Sequence, residues 1–276
     1  MKRLKIALIF GTKPNFDKDA FKYFVLYVNK IQSIYEFCFP DVSTFPFEKG
    51  TVDFDTSHEK VIGFIESNEL KADHFIAIIT NSFSNNFFFN AEKKTSVITT
   101  DIWDKHFSPP SLFEYLLHCI FTCLIYSQNR PSDSDLTDDQ MLINISSHRD
   151  TRGCIADFTR LKYDDRIDIV LGYICEVHKK EIDTFYGSEY LEQIQLVIER
   201  KWIGDINDKE SAAYNLKHIF KFDINKDSGF NKNCWDKMKD KFYDIPGTLT
   251  GEILKIVLTA ALTYFLIKWG FIDKKG

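Results

Sequence analysis

Two stretches of the sequence carry most of the information about this chain: Gly153-Cys154-Ile155-Ala156-Asp157-Phe158 and, after a polar run, Cys175-Glu176-Val177-His178. A cysteine followed at long range by a Cys-x-x-His pair has the spacing of metal ligands. The short turn lets two ligands reach one tetrahedral ion, and the distant cysteine closes the site. The spacing predicts a structural zinc site formed by Cys154, Cys175 and His178. His148, which precedes Cys154 by six residues, is the expected fourth ligand.

The same residues also have an interpretation without a metal. Free cysteine often behaves as a small buried hydrophobe, which would suit Cys154 and Cys175 and leave His178 as a surface imidazole. The chain has six unclustered cysteines and no secretory signal, which predicts reduced thiols in a cytoplasmic setting.

Length and charge limit the class of protein. With 276 residues the chain can bury a sizeable core, either in one large domain or in one domain with an appendage. A net charge of -5, with lysine and glutamate interspersed, argues against a dedicated nucleic-acid binder. The 26 phenylalanines are expected mostly in the core. Residues 1–10 are basic and then apolar, but the apolar run is too short for a signal peptide and is typical of a first β-strand.

Apolar periodicity predicts alternating strands and helices along the chain. The predicted strands are Lys5–Phe10, Tyr35–Pro40, His74–Thr80 and Ser96–Ile102. A short strand, a turn and a helix are predicted between Cys154 and His178. The predicted helices elsewhere are Phe16–Ser33, His58–Ser67, Leu112–Tyr126, Ser188–Trp202, Lys209–Phe220 and Asn233–Tyr243.

Over residues 60–182 this order of elements resembles the archaemetzincin-like metalloproteases. That family carries HExxHxxGxxxC-x4-C-x-M, a spacer of about seventeen residues, and C-x-x-C. Here Cys154-Ile155-Ala156 stands where C-x-M is expected, and Cys175-x-x-His178 follows with histidine in place of the last cysteine. Residues 85–91, followed by 96–100, resemble the family's edge-strand region. The resemblance implies a zincin-like fold, with a mixed sheet and a long central helix, and a bound zinc.

The helix predicted from Leu112 departs from that family at its active site. A metzincin needs two histidines four residues apart, with a glutamate beside the first as general base. The corresponding segment is Phe113-Glu114-Tyr115-Leu116-Leu117, so Glu114 matches the general base but both histidine positions are apolar. His118 lies one residue late, rotated by about 100° around the helix. The chain has no HExxH elsewhere, so proteolysis by the family mechanism is not expected.

Glu114 also has a structural interpretation. It follows Ser111 by three residues, and Ser-x-x-Glu at the start of a helix is a capping box. On this view His118, Cys119 and Cys123 are core or helix-face residues.

The C-terminal segment carries the second strong pattern. Leu249–Ile272 is rich in apolar residues, and Lys255 and Lys268 are the only formal charges between residues 253 and 272. Both lysines lie near the ends, where their stems can reach the interface of a bilayer core that needs about 20 residues. The residues expected in the membrane are Ile253, Leu254, Lys255, Val257, Leu258, Thr259, Leu262, Thr263, Phe265, Leu266 and Trp269. The alternative is an amphipathic helix docked on the body, or a dimerisation helix.

Within this segment a helical wheel places Glu252, Lys255, Thr259 and Thr263 on one polar stripe. A polar stripe in lipid needs partner helices or water, which predicts a homo-oligomer.

Together these patterns predict an α/β fold: a zincin-like domain at residues 1–185, a helical section at 186–245 and a C-terminal hydrophobic helix at 246–276. The predicted function is a catalytically inactive, metalloprotease-like module. It would act as a sensor or binding domain for a protein or ligand, with a cytoplasmic body tethered to a membrane or perturbing it. Two alternatives remain: an active metallopeptidase with unusual ligands around Glu114 and His118, and a soluble scaffold or interaction protein.

Overall fold

A five-stranded mixed sheet forms the centre of the described part of the chain. Its strands are β1 (Leu4–Phe10), β2 (Tyr35–Cys38), β3 (His74–Ile79), β4 (Phe89–Ala91) and β5 (Thr95–Thr99). Their order is β2-β1-β3-β5-β4, and all neighbours are parallel except β4, which pairs antiparallel with β5 at one edge. The predicted mixed α/β class is confirmed, and the region assigned to an edge strand contains β4.

The helices are α1 (Lys18–Ile31), α2 (Ser57–Ser67), α3 (Trp103–His106), α4 (Leu112–Gln128), α5 (Lys162–Leu171), α6 (Glu176–Tyr186), α7 (Ser188–Ile198) and α8 (Ala212–Ile219). A short 3-10 helix, Lys201–Ile203, lies between the last two.

The computed structural model describes residues 3–11, 14–42, 44–45, 50–92, 94–101, 103–128, 151–157, 162–227 and 229. The described residues belong to one compact unit that spans residues 1–230, and residues 231–276 lie outside the described ranges. The domain boundaries at residues 185 and 245 stay predictions. So do the helix at Asn233–Tyr243, the C-terminal hydrophobic helix and the ligand role of His148, because these residues are not described.

The central strands are apolar on both faces because both faces of the sheet are covered. Ile6, Leu8 and Phe10 of β1 belong to the core cluster that includes residues of α1 and α4. The alternate residues Ala7 and Ile9 pack with Val61 and other residues of α2 on the opposite face. The many phenylalanines serve the same core: the ring of Phe113 contacts the rings of Phe16, Phe21, Phe24 and Phe222.

Two boundaries differ from the predictions for local reasons. Helix α1 begins at Lys18 rather than Phe16, because the Asp17 side chain accepts hydrogen bonds from the backbone N–H groups of Asp19 and Ala20 and caps the helix. The region from Cys154 to His178, predicted as a short strand, a turn and a helix, holds a bridge, a turn and a helix as expected, and it also reaches into a second helix. It contains the whole of α5, and His178 lies in the next helix, α6. The strand is a single parallel bridge between Cys154 and Tyr173.

Helix α4 is the long central helix that the sequence predicts. It packs against β4 and β5 on one side and against α5 and α7 on the other. This explains why its sequence is apolar on nearly every face. The Tyr115 hydroxyl, fully buried, donates a hydrogen bond to the backbone carbonyl of Thr99 at 2.7 Å, which ties α4 to the end of β5.

Within the ranges that the structure describes, no helix combines the length and the apolar character needed to cross a bilayer.

Candidate metal centre and the face of the central helix

The three predicted ligands are brought together by a bridge and a helix start. Cys154 pairs with Tyr173 in the parallel bridge, and the backbone N–H of Ile155 donates to the Tyr173 carbonyl at 2.9 Å. Cys175, two residues further along, is the N-cap of α6, and His178 lies in the first turn of that helix. The bridge therefore holds the Cys154 loop against the beginning of α6. The residues between the two cysteines include α5.

The ligand atoms face one point. The sulphur of Cys154 lies 3.3 Å from His178 Nδ1, and the sulphur of Cys175 lies 3.2 Å from the same nitrogen. All three ligand atoms lie within 4.8 Å of one another. Tetrahedral zinc, with bonds of about 2.3 Å to sulphur and 2.0 Å to nitrogen, holds such atoms about 3.6 Å apart. The donor set and its spacing therefore fit zinc with small adjustments.

The cluster is buried, and only Cys175 has any surface exposed to solvent. Cys154 and His178 have no exposed surface, and Cys175 exposes 9%. The interpretation of His178 as a surface imidazole is therefore wrong. Burial raises the pKa of the Cys154 thiol, and the neighbouring Cys175 thiol raises it further. A bound cation would reverse this effect, because metal coordination favours the thiolate.

Glu181 lies beside the imidazole of His178 and was missed in the sequence. His178 Nε2 lies 3.7 Å from the Glu181 carboxylate, one helical turn along α6. A histidine that ligates a metal usually directs its other ring nitrogen to a carboxylate, which fixes the ring orientation. With Nε2 facing Glu181, Nδ1 is the nitrogen directed at the two sulphurs. The i, i+3 spacing on a predicted helix was the signal that could have identified Glu181.

Two aspartates, Asp157 and Asp168, lie next to the Cys154 loop. Asp157 Oδ2 accepts hydrogen bonds from the backbone N–H groups of Arg152, at 2.5 Å, and Cys154, at 3.1 Å. The side chain of Asp168, which is 2% exposed, lies near that of Asp157. Burial, together with the charges of Asp157 and Asp165, raises the pKa of Asp168 to about 8. The raised pKa favours the protonated carboxyl of Asp168, which is placed to donate to Asp157.

On α4, both oxygens of the Glu114 carboxylate are engaged. Oε2 accepts from the backbone N–H and the hydroxyl of Ser111, each at 2.9 Å, and the Ser111 hydroxyl accepts from the Glu114 N–H at 3.3 Å. The predicted capping box is confirmed. Oε1 accepts from Arg200 Nη1 at 3.1 Å, an ion pair between residues 86 positions apart. No local sequence pattern pointed to Arg200.

The remaining residues on this helix are packed. Phe113 and Leu117, at the two positions where a metzincin would carry histidines, are 0% and 3% exposed, and Cys119 and Cys123 are fully buried as expected. His118 borders a cavity of about 10 Å³, also lined by Glu114 and Arg200, which has room for about one water. Burial and the Arg200 charge lower the pKa of His118 to about 3, so the ring is neutral.

Comparisons with known proteins found a likeness only among solved structures. No family model matches the chain, and no curated protein matches it. Among solved structures, the crystal structure of archaemetzincin from Methanopyrus kandleri matches with 11% identity and a TM-score of 0.38, over 70% of this chain and 96% of that one. The mixed α/β fold and the ligand cluster described above rest on the present structure and not on this likeness.

Asp168 gives the stability of the protein a specific pH dependence. The unfolded carboxyl ionises near pH 3.8, and the folded one stays protonated to about pH 8. The stability therefore falls as the pH rises from 4 to 8 and levels off above. Asp168→Asn keeps the donor to Asp157 and cannot ionise. We expect the variant to gain on the order of a few kcal/mol over wild type between pH 4 and 8, measured by urea unfolding.

The matched control for this experiment is Asp183→Asn, which removes the same charge from an exposed position on α6. It measures the effect of net charge alone. If the unfolding free energies of wild type and Asp168→Asn changed in parallel from pH 4 to 8, the description of Asp168 as a buried, protonated donor would be contradicted.

Proposed function

We propose that this chain is a non-enzymatic, metalloprotease-like module whose body is stabilised by one structural zinc and binds a protein or another ligand. In this proposal the C-terminal helix tethers the body to a membrane, and several copies associate there. The proposal that the chain is not an enzyme rests on one observation: both carboxylate oxygens of Glu114 already accept hydrogen bonds.

A general base must have an oxygen available for the water that it deprotonates. Ser111 and Arg200 occupy both Glu114 oxygens, one as a capping partner and the other as an ion pair. The guanidinium of Arg200 also places a positive charge beside His118. A second cation at this position would be repelled, which argues against the alternative of a catalytic metal held by Glu114 and His118.

A structural role for the metal is supported by burial and by the nature of the donors. Structural zinc sites are four-coordinate and closed, whereas catalytic sites keep one position open to water. Cys154, Cys175 and His178 would hold the ion here, with His148 proposed as the fourth ligand. When bound, zinc would supply a cross-link that neutralises the two thiolates and joins the Cys154 loop to α6. Structural zinc of this kind contributes directly to folding free energy.

Membrane tethering and oligomerisation are proposed from the sequence of residues 249–272 alone. The apolar run with terminal lysines suits a bilayer, and the stripe of Glu252, Lys255, Thr259 and Thr263 suits association around water. The competing candidate is a soluble scaffold in which the same helix docks on protein. Membrane fractionation of the full chain separates the two, since only a tethered protein requires detergent for release.

The metal site predicts the outcome of one substitution. The full chain, purified without chelator, should contain about one zinc, and Cys175→Ala should contain none, because three remaining donors hold zinc far more weakly. We expect the melting temperature of wild type to fall on adding a strong chelator and that of Cys175→Ala not to respond. Elemental analysis and thermal unfolding measure both effects.

The matched control is Cys119→Ala, which truncates a buried cysteine of α4 outside the cluster. It should lose some stability through the cavity that it leaves and still retain its zinc. Wild type without zinc, or Cys175→Ala with a full zinc content, would contradict the assignment.

The role of Glu114 predicts the result of Glu114→Gln. An amide cannot accept from both Ser111 and Arg200 as a carboxylate does, so we expect a loss of about 1–3 kcal/mol in unfolding free energy. Zinc content should not change, and neither wild type nor variant should hydrolyse a denatured protein substrate. Glu189→Gln, at an exposed position in the first turn of α7, is the control. Hydrolysis by wild type that disappears in Glu114→Gln at unchanged stability would favour the metallopeptidase.

A further inference from the structure

The two sulphurs of the metal centre are placed to react with each other. We infer that Cys154 and Cys175 are a redox-sensitive pair, which hydrogen peroxide converts to a disulfide with release of the metal. This inference rests on the proposed zinc site for its metal, and on the positions of the two thiols for its chemistry.

Main-chain contacts hold the pair close together. The sulphur of Cys154 lies 3.3 Å from the backbone nitrogen of Cys175, which donates to it. The bridge from Cys154 to Tyr173 fixes the main chains two residues away. The two sulphurs lie within 4.8 Å of each other, and a disulfide needs about 2.0 Å. The approach that remains is less than about 3 Å, within the reach of side-chain rotation and small loop movement.

The other described cysteines are less suited to pairing. Cys119 and Cys123 are one turn apart on α4, which places their Cβ atoms about 5–6 Å apart, whereas a disulfide needs about 3.8 Å. Both are also fully buried. Cys38 is half-buried on β2, and the charged groups that affect its thiol are Lys5 and Glu36. In the ranges that the structure describes, Cys154 and Cys175 are therefore the pair with suitable geometry.

Access from solvent gives the two cysteines different roles. Cys175 exposes 9% of its surface at the start of α6, beside the exposed Tyr173 and Val177, whereas Cys154 and His178 expose none. A molecule as small as hydrogen peroxide can reach Cys175 first. Cys154, lying directly behind it, is placed to resolve the oxidised sulphur.

The reaction balances with peroxide as the only oxidant. The Cys175 sulphur attacks one peroxide oxygen: an S–O bond forms, the O–O bond breaks, and the departing hydroxide takes up a proton to become water. The Cys154 sulphur then attacks the sulphenic acid on Cys175, so that the S–S bond forms and the S–O bond breaks with loss of a second water. Two electrons pass from the sulphurs to the peroxide. A disulfide sulphur is a poor ligand, so His178 is the one donor left among the three, and the ion is released.

The test uses the full chain, loaded with zinc under reducing conditions and then freed of reductant. Peroxide is added in steps, released zinc is measured with a chromogenic chelator, and disulfides are mapped by mass spectrometry after alkylation and proteolysis. We expect a Cys154–Cys175 cross-linked peptide lacking two hydrogen atoms, release of about one zinc per disulfide, and reversal of both changes by a dithiol reductant. The double variant Cys38→Ser/Cys234→Ser, which removes a half-buried cysteine and one outside the described ranges, should respond as wild type does.

Each outcome bears on a separate claim. Zinc present before treatment, with both thiols still open to alkylation after peroxide, overturns the redox inference and leaves the structural zinc intact. Zinc absent before treatment overturns the structural zinc and this inference with it. A disulfide to Cys38 or Cys234 in place of the Cys154–Cys175 pair also overturns it. Cys154→Ser should abolish the cross-link, and if that variant does not fold, the mapping of wild type decides the question alone.

Discussion

The contact of two thiols with one imidazole nitrogen is the interaction on which the C-terminal part of the body depends. Cys154, Cys175 and His178 meet in a buried position where both cysteines belong to the apolar core, and the buried imidazole is the polar group that needs partners there. The cluster joins the Cys154 loop to the start of α6, and α5 lies between the two cysteines in sequence. Asp157 and Glu181 hold the cluster from either side, one through backbone N–H groups and one through the imidazole.

On the central helix α4, the candidate general base Glu114 has a structural role. On α4 the residue that matches a general base is part of a helix cap and of an ion pair with Arg200. The neighbouring positions Phe113 and Leu117 contribute to the core. The same carboxylate therefore joins the start of α4 to the segment after α7, which is a structural task. The proposal that the chain is non-enzymatic rests on this engagement.

Sequence patterns predicted the features that depend on local chemistry. Apolar runs located the long strands, Ser111 and Glu114 identified the cap, and Cys-x-x-His located two of the three clustered side chains. The patterns failed where contacts join distant residues. One helix was predicted between Cys154 and His178, which corresponds to α5, but the start of α6 at Glu176 was missed. Nothing near Arg200 indicated its ion pair with Glu114, 86 positions away, and nothing near Asp168 indicated that it would lie beside Asp157. The order of the strands also required the structure, because register and neighbour choice depend on the helices that cross over the sheet.

The most direct test of the structural zinc is X-ray absorption at the zinc edge, on the full chain purified without chelator. The account predicts a closed four-coordinate site with two sulphurs at about 2.3 Å and nitrogen at about 2.0 Å. That result would place the ion between Cys154, Cys175 and a histidine. A first shell of oxygen and nitrogen alone, or a protein without zinc, would contradict the account.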